Sequence, residues 1–327
     1  IQYGAEMMLD ISLFVMSRSF FNVDKRRYEF IRLLGPDEYH ENVDNNVFTN
    51  YQSRYALTKT LEVCELMKEK APEKLAEIMA QLDITYETIE TFKDMIERIY
   101  IKEQIEDKLI EKFANFFDLE DVKPAKLAER LIDKAEYWGW PNGIAVHNHV
   151  LKQADLIQLF VLHDDFDVET LKANFDYYEP RTEHGSSLSP AMHSIIANKI
   201  GYDDMAYEYF EKSCTVDLYN ANKAISGGTF IGGIHTASCG AVWQMAVFGF
   251  AGFSEYDDVL HFKPRTPKEW DGYSFEIQHK GNYIHAAVTK DGIILTAHEE
   301  NTKVVDVDVY GKKASIKPAE STTIALV

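Results

Sequence analysis

The sequence predicts a mainly α fold with an all-β module at its C-terminus. Apolar residues recur at helical spacing from Ile1 to about Phe253, and the period changes to two after Pro264 and Pro267. At 327 residues the chain also exceeds one ordinary domain. The division expected from these patterns is a helical portion over residues 1–260 and a small β domain over 261–327.

Each element has its own justification. Met7, Leu9, Ile11, Phe14 and Val15 put apolar side chains on most faces of a helix near 5–20. Such a helix wants neighbours on every side, so preceding sequence is expected. No basic segment stands before that apolar stretch, as a secretory leader requires. Helical spacing returns near 50–70, 72–82, 85–99, 124–137, 151–162, 190–200, 202–218 and 237–248. The clearest start is Ser189 as N-cap with Pro190 at the first helical position, leading into Met192, Ile195, Ile196 and Ile200 and stopped by Gly201. Residues 103–118 read either way, because Ile105, Leu109 and Phe113 keep helical spacing while Phe116 and Phe117 suit an extended edge. In the tail, Val305, Val307 and Val309 alternate with Asp306 and Asp308, and Lys290-Asp291-Gly292 joins two strand-like runs as a hairpin turn. An antiparallel β module follows from this. Paired helices in series are too many for a four-helix bundle and suggest a barrel or toroid.

Charge and cysteines exclude several functions. A net charge of -19, from 53 acids against 34 bases, disfavours nucleic acid or an anionic membrane as partner. The longest apolar run, Ala241 to Phe253, is too short to span a bilayer. Cys64, Cys214 and Cys239 are widely spaced, which fits a reducing cytoplasm better than a disulfide framework or a zinc site. His147-x-His149 lacks a third ligand at a recognisable spacing, and Asp164, Asp165 and Asp167 lack the glycine and terminal glutamate of a calcium loop, so no metal is expected. The acidic triplet reads as a solvated turn.

Four stretches carry candidate chemistry. In Gly35-Pro36-Asp37-Glu38-Tyr39-His40-Glu41-Asn42-Val43-Asp44-Asn45-Asn46, the Gly-Pro turn constrains two acids. The amides Asn42, Asn45, Asn46 and Asn50 offer the donors and acceptors that match sugar hydroxyls. Lys152-Gln153-Ala154-Asp155 opens an apolar helix, with Trp138, Trp140, His147 and His149 upstream as a stacking wall. His184-Gly185-Ser186-Ser187-Leu188-Ser189-Pro190 precedes a marked helix whose first amides and dipole attract an anion. Gly232-Gly233-Ile234-His235-Thr236 also runs into a helix, and its glycines let backbone amides approach a ligand. Taken alone, each stretch reads more readily as a capped or solvated turn than as a site.

Together, and in this order, the stretches resemble glycoside hydrolase family 65, the maltose, trehalose and kojibiose phosphorylase group. Tyr3-Gly4-Ala5-Glu6-Met7, Thr49-Asn50, His193-Ser194 and Trp243-Gln244 share in the match. The resemblance implies a partial (α/α)6 barrel followed by a small antiparallel β-sandwich, a homodimer, and an absent N-terminal half that contributes to the sugar pocket. It implies Glu38 as general acid, Lys152 and Gln153 in the glucose subsite, and His184, Ser186, Ser187, Gly232, Gly233 and His235 around phosphate. The expected reaction is inverting phosphorolysis of an α-linked glucose disaccharide to β-glucose 1-phosphate, with no cofactor and inorganic phosphate as co-substrate. Glu38 is expected to hold its proton at rest through burial and a neighbouring carboxylate such as Asp37. The alternative readings are an inverting hydrolase of the same fold, which would need a second carboxylate for water where phosphate attacks directly, and a truncated carbohydrate-binding remnant without catalysis.

Overall fold

The computed structural model describes residues 3–102, 108–133, 136–141, 143–218 and 234–326. The chain divides into two compact units, Ile1–Leu159 with Pro180–Glu183, and Phe160–Glu179 with His184–Val327.

In the first unit, helix α1 (Gly4–Arg18) is followed by two short hairpins, β1 (Phe20–Asn22) with β2 (Arg27–Glu29), and β3 (Leu33–Leu34) with β4 (Glu41–Val43). Helices α2 (Val47–Lys70), α3 (Pro72–Gln81), α4 (Tyr86–Arg98) and the short α5 (Pro124–Ala128) complete it. Their starts are chemically specified. The Asn46 side chain accepts from the Thr49 amide at the head of α2, Pro72 opens α3, and Thr85 and Thr88 form a reciprocal capping box on α4. Leu9, Leu57, Met67, Ile78, Phe92 and Met95 interlock α1 to α4 in one buried cluster. The outer face of α1 leaves Met7, Ile11 and Phe14 exposed. The helix expected over 124–137 ends at Ala128, and Ile132 beyond it is fully exposed, so no buried face sustains further turns.

Helix α6 (Leu156–Leu162) carries the chain onward to α7 (Val168–Tyr178), α8 (Ser189–Lys199), α9 (Asp203–Cys214) and α10 (Thr236–Gln244). A π-helical turn, Met245–Phe250, extends α10. Helix α7 was not expected from the apolar pattern. Asp167, read as part of a solvated turn, caps it by accepting from the Thr170 amide at 2.7 Å. Ala191, Ile195, Ala241 and Met245 form the core between α8 and α10.

The β module comprises β5 (Ser254–Tyr256), β6 (Val259–Phe262), β7 (Gly272–His279), β8 (Asn282–Thr289), β9 (Gly292–Ala297), β10 (Val305–Val309), β11 (Lys312–Ile316) and β12 (Ser321–Ala325). They make two four-stranded sheets, in the orders β11-β10-β6-β5 and β12-β9-β8-β7. The β8–β9 hairpin turns at Lys290-Asp291-Gly292 as expected, with Val288 opposite Ile293. Val305, Val307 and Val309 face inward, and residues of both sheets, among them Phe262, Ile284 and Leu295, share one core. The module is not purely antiparallel: β10 pairs with β6 in parallel, Val307 opposite Leu260. Strands β5 and β6 precede Pro264, and their recruitment creates that crossover. Trp270 packs its ring edge-on against Phe210 and Phe250, each at 5.1 Å, and joins the module to the helices of its own unit.

Candidate active site

The loop between β3 and β4 carries Asp37 and Glu38. Gly35 begins it where no side chain fits, because a Cβ would stand 2.6 Å from Asn46 Nδ2 and 2.8 Å from Asp155 Oδ2. Beneath the loop lies a fully buried polar cluster of Asp37, His40, Asn46, Lys112 and Asp155. Asp37 Oδ1 accepts from the Lys152 amide at 2.8 Å and the Tyr39 amide at 3.3 Å. Asp37 Oδ2 meets the Lys112 ammonium and lies 2.7 Å from His40 Nδ1. Asp155 accepts from Asn46 Nδ2 at 3.2 Å and from the Asp37 amide at 3.3 Å.

Lys112 also lies 3.9 Å from Asp155 Oδ2, so two carboxyls share one lysine, and they titrate apart. Burial raises both, but Lys112 and His40 hold Asp37 well below the carboxylate range, whereas Asp155, with Asp37 adding to burial, is pushed up to about 6. His40 is lowered by burial and then by Lys112.

Glu38 itself points outward. Its side chain is 45 % exposed and pairs with the Lys152 ammonium, which also lies 5.5 Å from the centre of the Tyr137 ring. The Gln153 side-chain amide donates to the Pro36 carbonyl, and the Tyr137 hydroxyl donates to the Glu38 carbonyl at 3.4 Å. Glu38, Lys152 and Gln153 are therefore brought together, as the sequence suggested. The reason offered there for a proton on Glu38 does not hold: the carboxyl is not buried, and the negative charge of Asp37 is matched by Lys112. Lys152 and Gln153 also lie ahead of α6 rather than within it. Trp138 is buried against Tyr39 and His149 is stacked on Phe116 at 4.6 Å, which removes both from the expected stacking wall. Tyr137 takes that place beside Lys152.

In the second unit, Ser189 is the first residue of α8 rather than its cap. Leu188 precedes it with no side-chain cap hydrogen bond. The Ser189 hydroxyl bonds His184 Nδ1 at 3.0 Å instead. The other nitrogen, Nε2, lies 3.0 Å from the Tyr209 oxygen, and the Tyr209 hydroxyl donates to Glu179 at 2.6 Å. Tyr209 spends its one proton on Glu179, so His184 donates from Nε2 and accepts from Ser189 at Nδ1. Burial, with His193 next to it, keeps His184 neutral by lowering it well below the usual histidine value. The ring is engaged on both sides, on a residue whose backbone is left-handed (φ 58°).

Ser186 and Ser187 lie between His184 and α8. The Ser186 hydroxyl accepts from the Leu188 amide at 3.4 Å, and Ser238 of α10 donates to the Ser187 carbonyl at 3.4 Å. That bond brings the start of α10 to the serine loop. Next to α10, His235 is oriented by Asp217, which accepts from its amide at 2.8 Å and from its Nδ1 at 2.6 Å. His235 Nε2 is buried and has no hydrogen-bond partner among the described residues. Gly232 and Gly233 lie outside the described residues. Sequence reasoning missed Lys112, Tyr209, Glu179 and Asp217. A separate cleft of about 800 Å³ in the second unit, between α6, α8 and the β module, holds none of the candidate residues.

Comparison with known proteins identifies the family. Residues 1–244 match the glycosyl hydrolase family 65 central catalytic domain, and residues 253–316 match the glycosyl hydrolase family 65 C-terminal domain. The chain is 44% identical over 314 residues to the 1,2-alpha-glucosylglycerol phosphorylase of Bacillus selenitireducens, covering 95% of this chain and 41% of that protein. It is 35% identical over 322 residues to the kojibiose phosphorylase of Caldanaerobacter subterraneus subsp. tengcongensis, covering 97% and 40%. A solved structure described as a "putative kojibiose phosphorylase from human microbiome" superposes with a TM-score of 0.85 at 30% identity, over 99% of this chain and 43% of that one. The chain therefore spans about 40% of the length of the curated relatives it matches. With both domain models matched in order over most of its length, the chain belongs to glycosyl hydrolase family 65.

Proposed function

We propose that the full chain is an inverting phosphorylase of α-glucosides, with Glu38 as general acid and inorganic phosphate as nucleophile. The glycosidic oxygen takes the proton of Glu38 as its bond to the anomeric carbon breaks. A phosphate oxygen attacks that carbon from the opposite face, and β-glucose 1-phosphate and the free acceptor leave. The observation that carries this reading is the convergence of Glu38, Lys152 and Gln153 at a constrained loop seated over a buried polar cluster. A sugar that takes over the hydrogen bonds of Lys152 and Gln153 separates Glu38 from the ammonium, so that the carboxyl faces the scissile oxygen with its proton, and the proton that hydrogen phosphate sheds on forming the ester restores it.

For phosphate, support comes from the chemistry of the second unit. Ser186, Ser187 and the uncapped start of α8 offer donors rather than a second carboxylate, and His235 Nε2 is free to donate when protonated. Gly232 and Gly233 would add backbone amides. His184, with both nitrogens engaged, is assigned to holding the serine loop in place of direct phosphate contact. In the chain, Glu183, which accepts from Tyr39 of the acid loop at 3.2 Å, is followed directly by His184.

The relatives' names supply the substrate class: glucosylglycerol and the glucobioses kojibiose, nigerose, trehalose and maltose. The identity of 44% favours 1,2-α-glucosylglycerol over a disaccharide. Family membership further supports helices that form part of an (α/α)6 barrel, a homodimer, and a domain boundary near residue 260. Free thiols at Cys64, Cys214 and Cys239 support a cytoplasmic setting.

The test is sugar release by the full chain from a panel of these α-glucosides, with and without phosphate, beside Glu38→Gln. Release that requires phosphate and falls roughly 10²–10⁴-fold in the variant is expected. Release without phosphate, or near-normal turnover by the variant, would contradict the reading.

A further inference from the structure

We infer that Asp37 is a positioning residue, whose buried carboxylate fastens the backbone carrying Glu38 to the backbone carrying Lys152. The inference rests on the reading of Glu38 as the general acid. Asp37 and Lys152 are 115 residues apart, yet Asp37 Oδ1 accepts from the Lys152 amide at 2.8 Å and from the Tyr39 amide, on the far side of Glu38, at 3.3 Å. Its own amide donates to Asp155 at 3.3 Å, so the backbone is held on both sides of Glu38. The acid and the lysine it pairs with are thereby fixed as one piece.

The opposite oxygen explains why the group is a carboxylate. Oδ2 faces the Lys112 ammonium and His40, all of them buried. Buried ion pairs add little stability over apolar residues of the same volume, and their better-attested use is fixing one geometry. An asparagine cannot do both tasks. With its oxygen toward the Lys152 and Tyr39 amides it turns an NH₂ against Lys112, and in the other orientation it turns an NH₂ against those two amides.

Asp37 touches no reacting atom in this scheme, so its effect must run through Glu38. That distinguishes it from a residue that only stabilises the fold. A leaving group that departs without a proton, such as the fluoride of α-glucosyl fluoride, bypasses the general acid. A sugar or glycerol leaving group does not.

The experiment uses the full chain with Asp37→Asn and the double variant Asp37→Asn/Lys112→Met, reading turnover on both donor types and hydrogen exchange at the Lys152 amide. Misplacing a catalytic group by about 1 Å costs roughly 10²-fold. D37N is therefore expected to lose about that factor on the glucoside, far less on the fluoride, and to exchange the Lys152 amide faster. The double variant removes the Asp37–Lys112 pair together, and Asp155, 3.9 Å from Lys112 and already raised to about 6, loses the cation that favours its ionised form and is left protonated by burial. The variant's asparagine can offer oxygen to the Lys152 and Tyr39 amides and NH₂ to His40 Nδ1, so both readouts should return toward the wild type. Equal losses on the two donors, or an unchanged Lys152 amide, would overturn the inference, as would a double variant with the amide protected and the donor ratio still shifted. The amide exchange needs no phosphate, and the ratio of the two donors' rates is read whichever nucleophile, phosphate or water, completes the reaction. If release proved independent of phosphate, the phosphorolytic reading would fall while these measurements still judged Asp37.

Discussion

His235 reaches its place through one acid, Asp217, which takes both its amide and its Nδ1 proton and turns Nε2 away as the one ring atom left for a ligand. Phosphate affinity should depend on it more than sugar affinity does. His235→Ala is expected to raise the KM for phosphate about tenfold, the worth of one charge-assisted hydrogen bond, with the KM for the glucoside little changed. Initial rates over a phosphate series check this, and an unchanged phosphate KM would remove His235 from the site. At this scale the sequence was informative wherever candidate residues sat in a contiguous motif. Glu38, Lys152 and Gln153 were legible as residue types in unusual company. The partners that hold them were not: Lys112 stands 75 residues from Asp37, and Asp217 is 18 from His235. Ion pairs across such separations leave no local pattern to read.

The β3–β4 hairpin and its loop act as one element, and Gly35 is where that element is tightest. Gly35→Ala would press a methyl group into Asn46 and Asp155, both buried, and overpacking of this kind costs about 1–3 kcal/mol. The same shift displaces the backbone of Glu38. Thermal unfolding and turnover measured together should show both losses, and a variant with wild-type stability and rate would mean the loop yields without effect. Helices α1 to α4, α8 and α9 were legible because strong apolar periodicity coincides with chemical start signals such as Pro72 and Pro190. The missed helix α7 did carry a signal, Asp167 three residues before Thr170, obscured by the acidic run around it. The parallel pairing of β10 with β6 had no signal, since a strand's alternation states which face is buried but not which neighbour it meets.

For the whole molecule, stability should depend on pH through histidines that fold in the neutral form. His193 is buried, and burial, then Lys212, lowers it to about 4, while His184 is lowered well below its usual value. The unfolded chain binds protons at these rings near pH 6.5 and the folded chain does not, so the stability they contribute is present above that pH and lost as pH falls toward 4. For His193 alone the loss is about 3 kcal/mol. Asp155 works in the opposite sense: its carboxyl is raised to about 6, so its contribution is present below about 4 and lost as pH rises through 6. The unfolding temperature should fall between pH 7 and pH 5, and His193→Phe should flatten that fall. An unchanged slope in the variant would show that another group titrates there. The proposed reaction requires phosphate to attack across from a single proton donor. Its most direct test is proton NMR of the first glucose 1-phosphate formed by the full chain from an α-glucoside and phosphate. The β anomer is the predicted product, and the α anomer, or free glucose in its place, would contradict the account.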